Sequence, residues 1–223
     1  MDRKLLMDAL VKFFSGLVLM GLLLFLPAGS FSYWQAWLLI GILFVPMFLA
    51  GLVMLAKSPE LLRRRLNAKE EQTEQKWVIA LSGLMFVACF VLAGLNFRFG
   101  WLRLPDWVAW AGAAVFLLGY LLFAEVLREN AWLSRTIEVR EEQTVVDTGL
   151  YGVVRHPMYS ATVLMFLSMP LVLASPLSFA VMLFYLPIIA KRIRNEEEVL
   201  ERELKGYAEY KARVKFRLLP GLW

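Results

Sequence analysis

Cysteine occurs once, at Cys89, and histidine once, at His156, in a chain of 223 residues. A single thiol closes no disulfide within the chain, and one His with one Cys is a poor ligand set for zinc. No G-x-G-x-x-G or Walker loop is present, so a Rossmann or P-loop nucleotide site has no support. No G-x-S-x-G elbow is present either. Internal repeats and low-complexity tracts are missing. Charge is absent from long stretches, and Glu125 lies near the end of one of them rather than deep within it. A proton pump or ion carrier would want charges deeper in the bundle.

What is present is apolar. The chain is 60% hydrophobic with a mean hydropathy of +0.60, above the soluble norm. Residues 13–56 hold 44 positions without a charge. One membrane span needs about 20, so this run is two helices, turned at Pro27-Ala28-Gly29-Ser30. Residues 77–97 and 107–124 make a third and a fourth span. Residues 157–190 are 34 uncharged positions broken by Pro170 and Ala174-Ser175-Pro176. That length is long for one span and short for two, which predicts a hairpin of short or kinked helices, roughly 158–173 and 177–190. Such irregular backbone is tolerated where protein or a cavity covers it. The expected fold is an all-α integral membrane protein. It is a six-helix bundle with a short C-terminal helical hairpin and a cytoplasmic C-terminal helix.

Basic residues orient it. With six spans and both termini on one side, that side carries 22 of the 24 Lys and Arg, leaving only Arg98 and Arg103 opposite. The positive-inside rule then makes both termini cytoplasmic, in a multi-pass protein of an inner or plasma membrane. The same rule, with attraction to anionic membrane lipids, accounts for the net charge of +5 without nucleic acid. The start, MDRKLLMDALVKFF, is like a signal-peptide n-region. No small-residue cleavage site follows, so an uncleaved first helix is expected. Residues 1–135 read as a four-span scaffold with a cytoplasmic loop at 57–76. In that loop Ser58 and Pro59 open an interfacial helix. Residues 136–223 read as the chemical region. Residues 134–140 alternate like a strand, though a lone strand would lack a partner.

Two polar clusters flank the hairpin. Before it stands Arg155-His156-Pro157-Met158-Tyr159. Pro157 disfavours helical geometry at His156 and suits the first position of a helix, so the imidazole sits at a helix mouth. After it come Arg192 and Glu196, one turn apart on one face, with Glu197 turned about a quarter circle. Both ends of a hairpin return to one membrane face, so the clusters meet. Taken singly, each cluster is also what ordinary interfacial capping and helix-face pairing produce. Carboxylates, the rings of Tyr151 and Tyr159 and exposed helix ends suit a ligand carrying both charges.

At these residues the chain resembles the isoprenylcysteine carboxyl methyltransferase family and its membrane phospholipid methyltransferase relatives. The shared pattern is Thr148-Gly149-Leu150-Tyr151, then Arg155 to Tyr159, the hairpin, Arg192 with Glu196-Glu197 and Val199-Leu200 in register, and Tyr207 with Tyr210. The resemblance implies S-adenosylmethionine as donor. It implies that Gln143, Thr144, Val145, Val146, Tyr151, His156, Pro157, Met158, Tyr159 and Glu196 hold that donor. It implies that Arg192 grips the acceptor, with Arg192, Glu196 and Glu197 as the catalytic set and no metal. The expected partner is a lipophilic or lipid-anchored methyl acceptor. Leu204-Lys205-Gly206-Tyr207 stands where members acting on prenylated protein carry Phe-Gly. A prenylcysteine carboxylate, a phospholipid amine, a small thiol and another lipophilic acid therefore all stay open. Two other classes stay open as well: an NADPH-using sterol- or lipid-type reductase, and a non-enzymatic scaffold or carrier.

Overall fold

The computed structural model describes residues 3–66, 73–102, 104–130, 132–133, 139 and 142–223, and the side chains of 73–75 are not described. The strand expected at 134–140 falls almost wholly outside the described residues. Four long helices form the scaffold: α1 (Arg3–Ala28), α2 (Trp34–Lys57), α4 (Thr73–Phe99) and α5 (Asp106–Glu129). Between α2 and α4 lies the short, arginine-rich α3 (Pro59–Leu66), opened by Pro59 as expected. The hairpin is α6 (Pro157–Val172) followed by α7 (Pro176–Met182) and α8 (Tyr185–Glu203), and α9 (Tyr207–Arg213) ends the chain's helices. Five helical stretches among the described residues are long and apolar enough to cross a membrane. The sixth apolar helix, α6, has only 16 residues, a rise of about 24 Å against a hydrocarbon core of about 30 Å.

Two details differ from the sequence reading. The second leg of the hairpin is broken at residues 183–184. Pro187 has no N–H to offer the carbonyl four residues back, and Leu186 N donates to Leu183 O instead, at 3.1 Å. The charged tail is also not one helix. Gly206 takes φ +85°, a left-handed conformation that suits glycine and separates α8 from α9.

The core joins the helices along their inner faces, with Leu24, Leu39, Phe116, Leu173, Met182 and Ile193 fully enclosed. Polar ties fix the ends. Tyr33, stacked on Phe97, donates to Leu173 O at 2.6 Å, which binds the α1–α2 turn to the hairpin turn. Ser178 donates to Cys89 O at 2.8 Å, which binds α7 to α4. The tightest pairing is α5 on α6. It depends on small residues, as membrane helix interfaces commonly do. A Cβ at Gly112 would lie 2.8 Å from Val172 N and 2.9 Å from Leu171 Cβ. A Cβ at Gly119 would lie 2.7 Å from Met165 Cγ.

This packing generates a prediction. Gly112→Ala should destabilise the detergent-solubilised protein by about 1–3 kcal/mol, because backbone cannot give way. Gly83→Ala, whose Cβ meets nothing within 4 Å, should be neutral or mildly stabilising. Paired thermal melts check it; equal melts would show that α5 and α6 are not held this closely.

Candidate active site at the mouth of the hairpin

Pro157 begins α6 and forces His156 out of helical geometry, to φ −126° and ψ 61°. The imidazole therefore stands at the helix mouth, buried to 5% exposure. Opposite it, α8 presents Glu196 and Glu197. Consecutive helical residues are about 100° apart, so the two carboxylates face different surroundings.

Glu197 faces inward. Arg155 Nε donates to its Oε1 at 2.7 Å and Arg217 Nε to its Oε2 at 3.0 Å. His156 Nε2 lies 3.2 Å from Oε1. The carboxylate is 2% exposed. Burial pushes its pKa up, but the hydrogen bonds from His156 and Arg155, the His156 charge and the Arg217 bond outweigh this and hold it down to about 2. Arg155 Nη1 donates to Val214 O at 2.6 Å and to Lys215 O at 2.8 Å. Backbone bonds from Arg155 N to Phe216 O and from His156 N to Arg217 O, both 2.9 Å, lay the tail along the motif. Ser160 adds a bond to Leu218 O at 2.7 Å.

Glu196 faces a cavity. Tyr159, from the first turn of α6, donates to Glu196 Oε2 at 2.5 Å and accepts from Arg192 Nε at 2.9 Å. The tyrosine thus bridges the two residues that share one face of α8. Gln143, Thr144, Val145, Val146, Tyr151, His156, Met158, Tyr159, Arg192 and Glu196 all line this cavity, which encloses about 110 Å³. Pro157 and Glu197, also singled out in the sequence, lie behind the wall: one starts the helix and the other anchors Arg155 and His156.

The far wall comes from the turn. Gly149 has φ +51°, and a Cβ there would fall 1.7 Å from Glu129 Oε1. Only glycine fits that approach, which lets Leu150 N donate to Glu129 Oε2 at 3.1 Å. Tyr151 is then fixed at both ends. Its hydroxyl accepts from Asn130 at 2.8 Å, and its carbonyl accepts from Tyr210 at 2.8 Å. Burial raises its hydroxyl to about 12, with the Asn130 bond opposing. The non-helical segment through Val145 and Val146 is seated by apolar contact, Val145 on Leu204, Tyr207 and Tyr210, and Val146 on Val126, Leu133 and Tyr151.

Sequence reasoning did not place several lining residues in the site: Asn130, Trp132 and Leu133, and Leu200 and Leu204, which were read only as part of the motif pattern. For two the signal was available. Leu200 and Leu204 continue the Arg192–Glu196 face at four-residue steps. Tyr207 and Tyr210, read only as part of the tail pattern, also line the cavity. Tyr207 is 3% exposed and its hydroxyl is among the buried polar atoms without a hydrogen-bond partner. Burial, foremost, keeps that hydroxyl protonated.

Residues 107–206 match the phospholipid methyltransferase family model. The stretch contains Arg155 to Tyr159 and Arg192 to Leu200, so the methyltransferase resemblance read from the sequence holds over the described cavity-lining residues other than Tyr207 and Tyr210. No curated protein matches the chain. Among solved structures, the chain is similar to a eukaryotic intramembrane Ras methyltransferase, isoprenylcysteine carboxyl methyltransferase. The two share 17% identity over 93% of this chain and 91% of that one, with a TM-score of 0.47.

The Glu197 anchor has a pH signature. Its folded pKa is depressed, so its contribution is present above the usual carboxylate range and lost as pH falls toward 2. Glu197→Gln should cost about 3–5 kcal/mol at pH 7, since it strands buried Arg155. The gap in melting temperature between wild type and variant should narrow between about pH 4.5 and 2. A gap unchanged across that window would remove the ion pair as its cause.

Proposed function

We propose that the chain is an integral-membrane methyltransferase that uses S-adenosylmethionine, held in the cavity between the 143–146 segment, Tyr151, α6 and α8, to methylate a lipophilic acceptor. One observation carries the reading. A partly exposed carboxylate, Glu196 at 23%, shares a cavity with the buried hydroxyl of Tyr207, which has no hydrogen-bond partner among the described residues, and with four further aromatic residues, Trp132, Tyr151, Tyr159 and Tyr210.

These residues fit the donor's chemistry. A carboxylate accepts from an ammonium through charge-assisted bonds. Aromatic faces favour a sulfonium cation. Tyr207 offers a protonated hydroxyl to a polar ligand atom. The bound donor would supply an electrophilic methyl group. The protein's share is then alignment and exclusion of water, because displacement at methyl needs no strong base when the acceptor is already an anion. Tyr159 fixes the Glu196 carboxylate and the Arg192 guanidinium relative to each other. Arg192, with a planar fork, suits an acceptor carboxylate at the membrane face of the cavity. Glu197 serves as a positioning residue that holds Arg155 and His156 in the wall. At about 110 Å³ the cavity is smaller than the ~300–1,000 Å³ usual for small-molecule sites.

The acceptor belongs to the class of lipophilic molecules with a nucleophilic oxygen, nitrogen or sulfur, and a prenylcysteine-like carboxylate is one member. The orientation that serves this chemistry has six membrane passages, α6 counted as the short fifth. Both termini and the cavity then lie on the basic, cytoplasmic side. Reporter fusions after Trp223 and within the α4–α5 connection should report opposite sides; a shared side would contradict that topology.

Variants separate the two halves of the site. Glu196→Gln should weaken donor binding by about ten- to a hundredfold, the loss of one charge-assisted hydrogen bond. Arg192→Lys should leave donor affinity near wild type and lower turnover at least tenfold, about 1.4 kcal/mol of transition-state stabilisation. Calorimetry and transfer of labelled methyl to a membrane extract, on one preparation, check both. Unchanged donor affinity in Glu196→Gln would return that residue to a solvated helix face. Loss of donor affinity in Arg192→Lys would move Arg192 to the donor side.

A further inference from the structure

Four tyrosines line the active-site cavity. Three have partners for their hydroxyls: Tyr151 accepts from Asn130, Tyr159 donates to Glu196, and Tyr210 donates to Tyr151 O. Tyr207 is the exception among the described residues. It is as enclosed as the others, yet its hydroxyl has no hydrogen-bond partner. A buried hydroxyl left in this state destabilises a fold, and phenylalanine would pack in its place without that penalty.

The chain holds this ring in place. Gly206, at φ +85°, turns the chain after α8, and Tyr207 opens α9. Its backbone N donates to Leu204 O at 3.2 Å. The ring belongs to a cluster with Leu204, Tyr210 and Val214, and Val145 and Leu200 pack against that cluster. A ring so enclosed cannot carry its hydroxyl out to solvent, so a partner has to enter the cavity.

The surroundings define that partner. Burial first, and then the charges of Glu197 and Glu196, keep the Tyr207 hydroxyl protonated, so it is a donor. Glu197 acts on it more strongly than Glu196 does. On the Glu197 side, Arg155 and Arg217 both bond that one carboxylate. Two guanidiniums against one carboxylate leave that side positive. Glu196, one residue earlier and 23% exposed, is an acceptor. The cavity thus offers a negative acceptor and, apart from it, a neutral donor backed by positive charge. An ammonium and a carboxylate carried on the same carbon, the end group of an α-amino acid, complement that pair.

We propose that Tyr207 recognises the carboxylate of the donor's amino-acid group while Glu196 takes its ammonium. The inference rests on the reading of this cavity as the S-adenosylmethionine site. It adds a specificity: the site selects a complete amino-acid end group rather than a cation alone.

The test is calorimetry and ligand-free thermal melting of detergent-purified wild type and Tyr207→Phe. The ligands are S-adenosylhomocysteine and the same compound lacking its carboxylate. Both keep the ammonium. Wild type should bind S-adenosylhomocysteine about ten- to a hundredfold more tightly than the decarboxylated compound, the span of one hydrogen bond to a charged group. Tyr207→Phe should shrink that ratio at least fivefold by weakening S-adenosylhomocysteine alone. Comparing ratios cancels any change of cavity shape that affects both ligands. Without ligand, Tyr207→Phe should melt at or above wild type, because it removes an unpartnered hydroxyl. An unchanged ratio in the variant, or no preference in wild type, would overturn the inference and leave the donor reading standing. A ligand-free variant that melts below wild type, or does not fold, would also overturn it, since the hydroxyl would then serve the fold. Wild type that binds neither compound would overturn the donor reading, and the inference with it.

Discussion

The buried carboxylate of Glu197 is the interaction on which the polar half of this molecule depends. An ion at 2% exposure is tolerated only when its oxygens are fully engaged. Here Arg155 and His156, adjacent at the mouth of α6, and Arg217, from the C-terminal tail, engage them. One carboxylate therefore ties α8, the mouth of α6 and the C-terminal tail into a single piece. Arg155 extends the tie to two tail carbonyls. The cavity wall is rigid where those groups meet and is held by apolar contact where Val145 and Val146 lie against it.

The neighbouring acid shows how one helix can serve two ends. Glu196 and Glu197 are adjacent in sequence, and the helical turn between them separates their environments. One neutralises a buried arginine. The other, bridged by Tyr159 to Arg192, keeps an acceptor surface in the cavity. The break before α8 at residues 183–184 and the left-handed Gly206 after it set how much of the helix faces the site.

Much of this was legible in the chain. Uncharged runs locate the long helices, because a membrane leaves little choice of length or polarity. The Pro157 rule puts His156 at a helix mouth, and the hairpin brings it to Arg192 and Glu196. The separate fates of Glu196 and Glu197 were not legible, because they depend on Arg155 and Arg217 arriving from elsewhere in the fold. The wall residues Asn130, Trp132 and Leu133 carry no motif; they reach the cavity because the turn at Gly149 folds back against the end of α5. The hairpin's second break was written in Pro187, whose missing N–H acts four residues upstream rather than at the proline itself.

The central claim is that the cavity beside Glu196 binds a sulfonium donor. Ligand-induced stabilisation of the detergent-purified protein tests it most directly, because a ligand that binds the folded state raises the melt by mass action. S-adenosylmethionine and its demethylated product should each raise the melting temperature, increasingly with concentration, while NADPH leaves it unchanged. Stabilisation by NADPH with no response to either adenosyl compound would contradict the account.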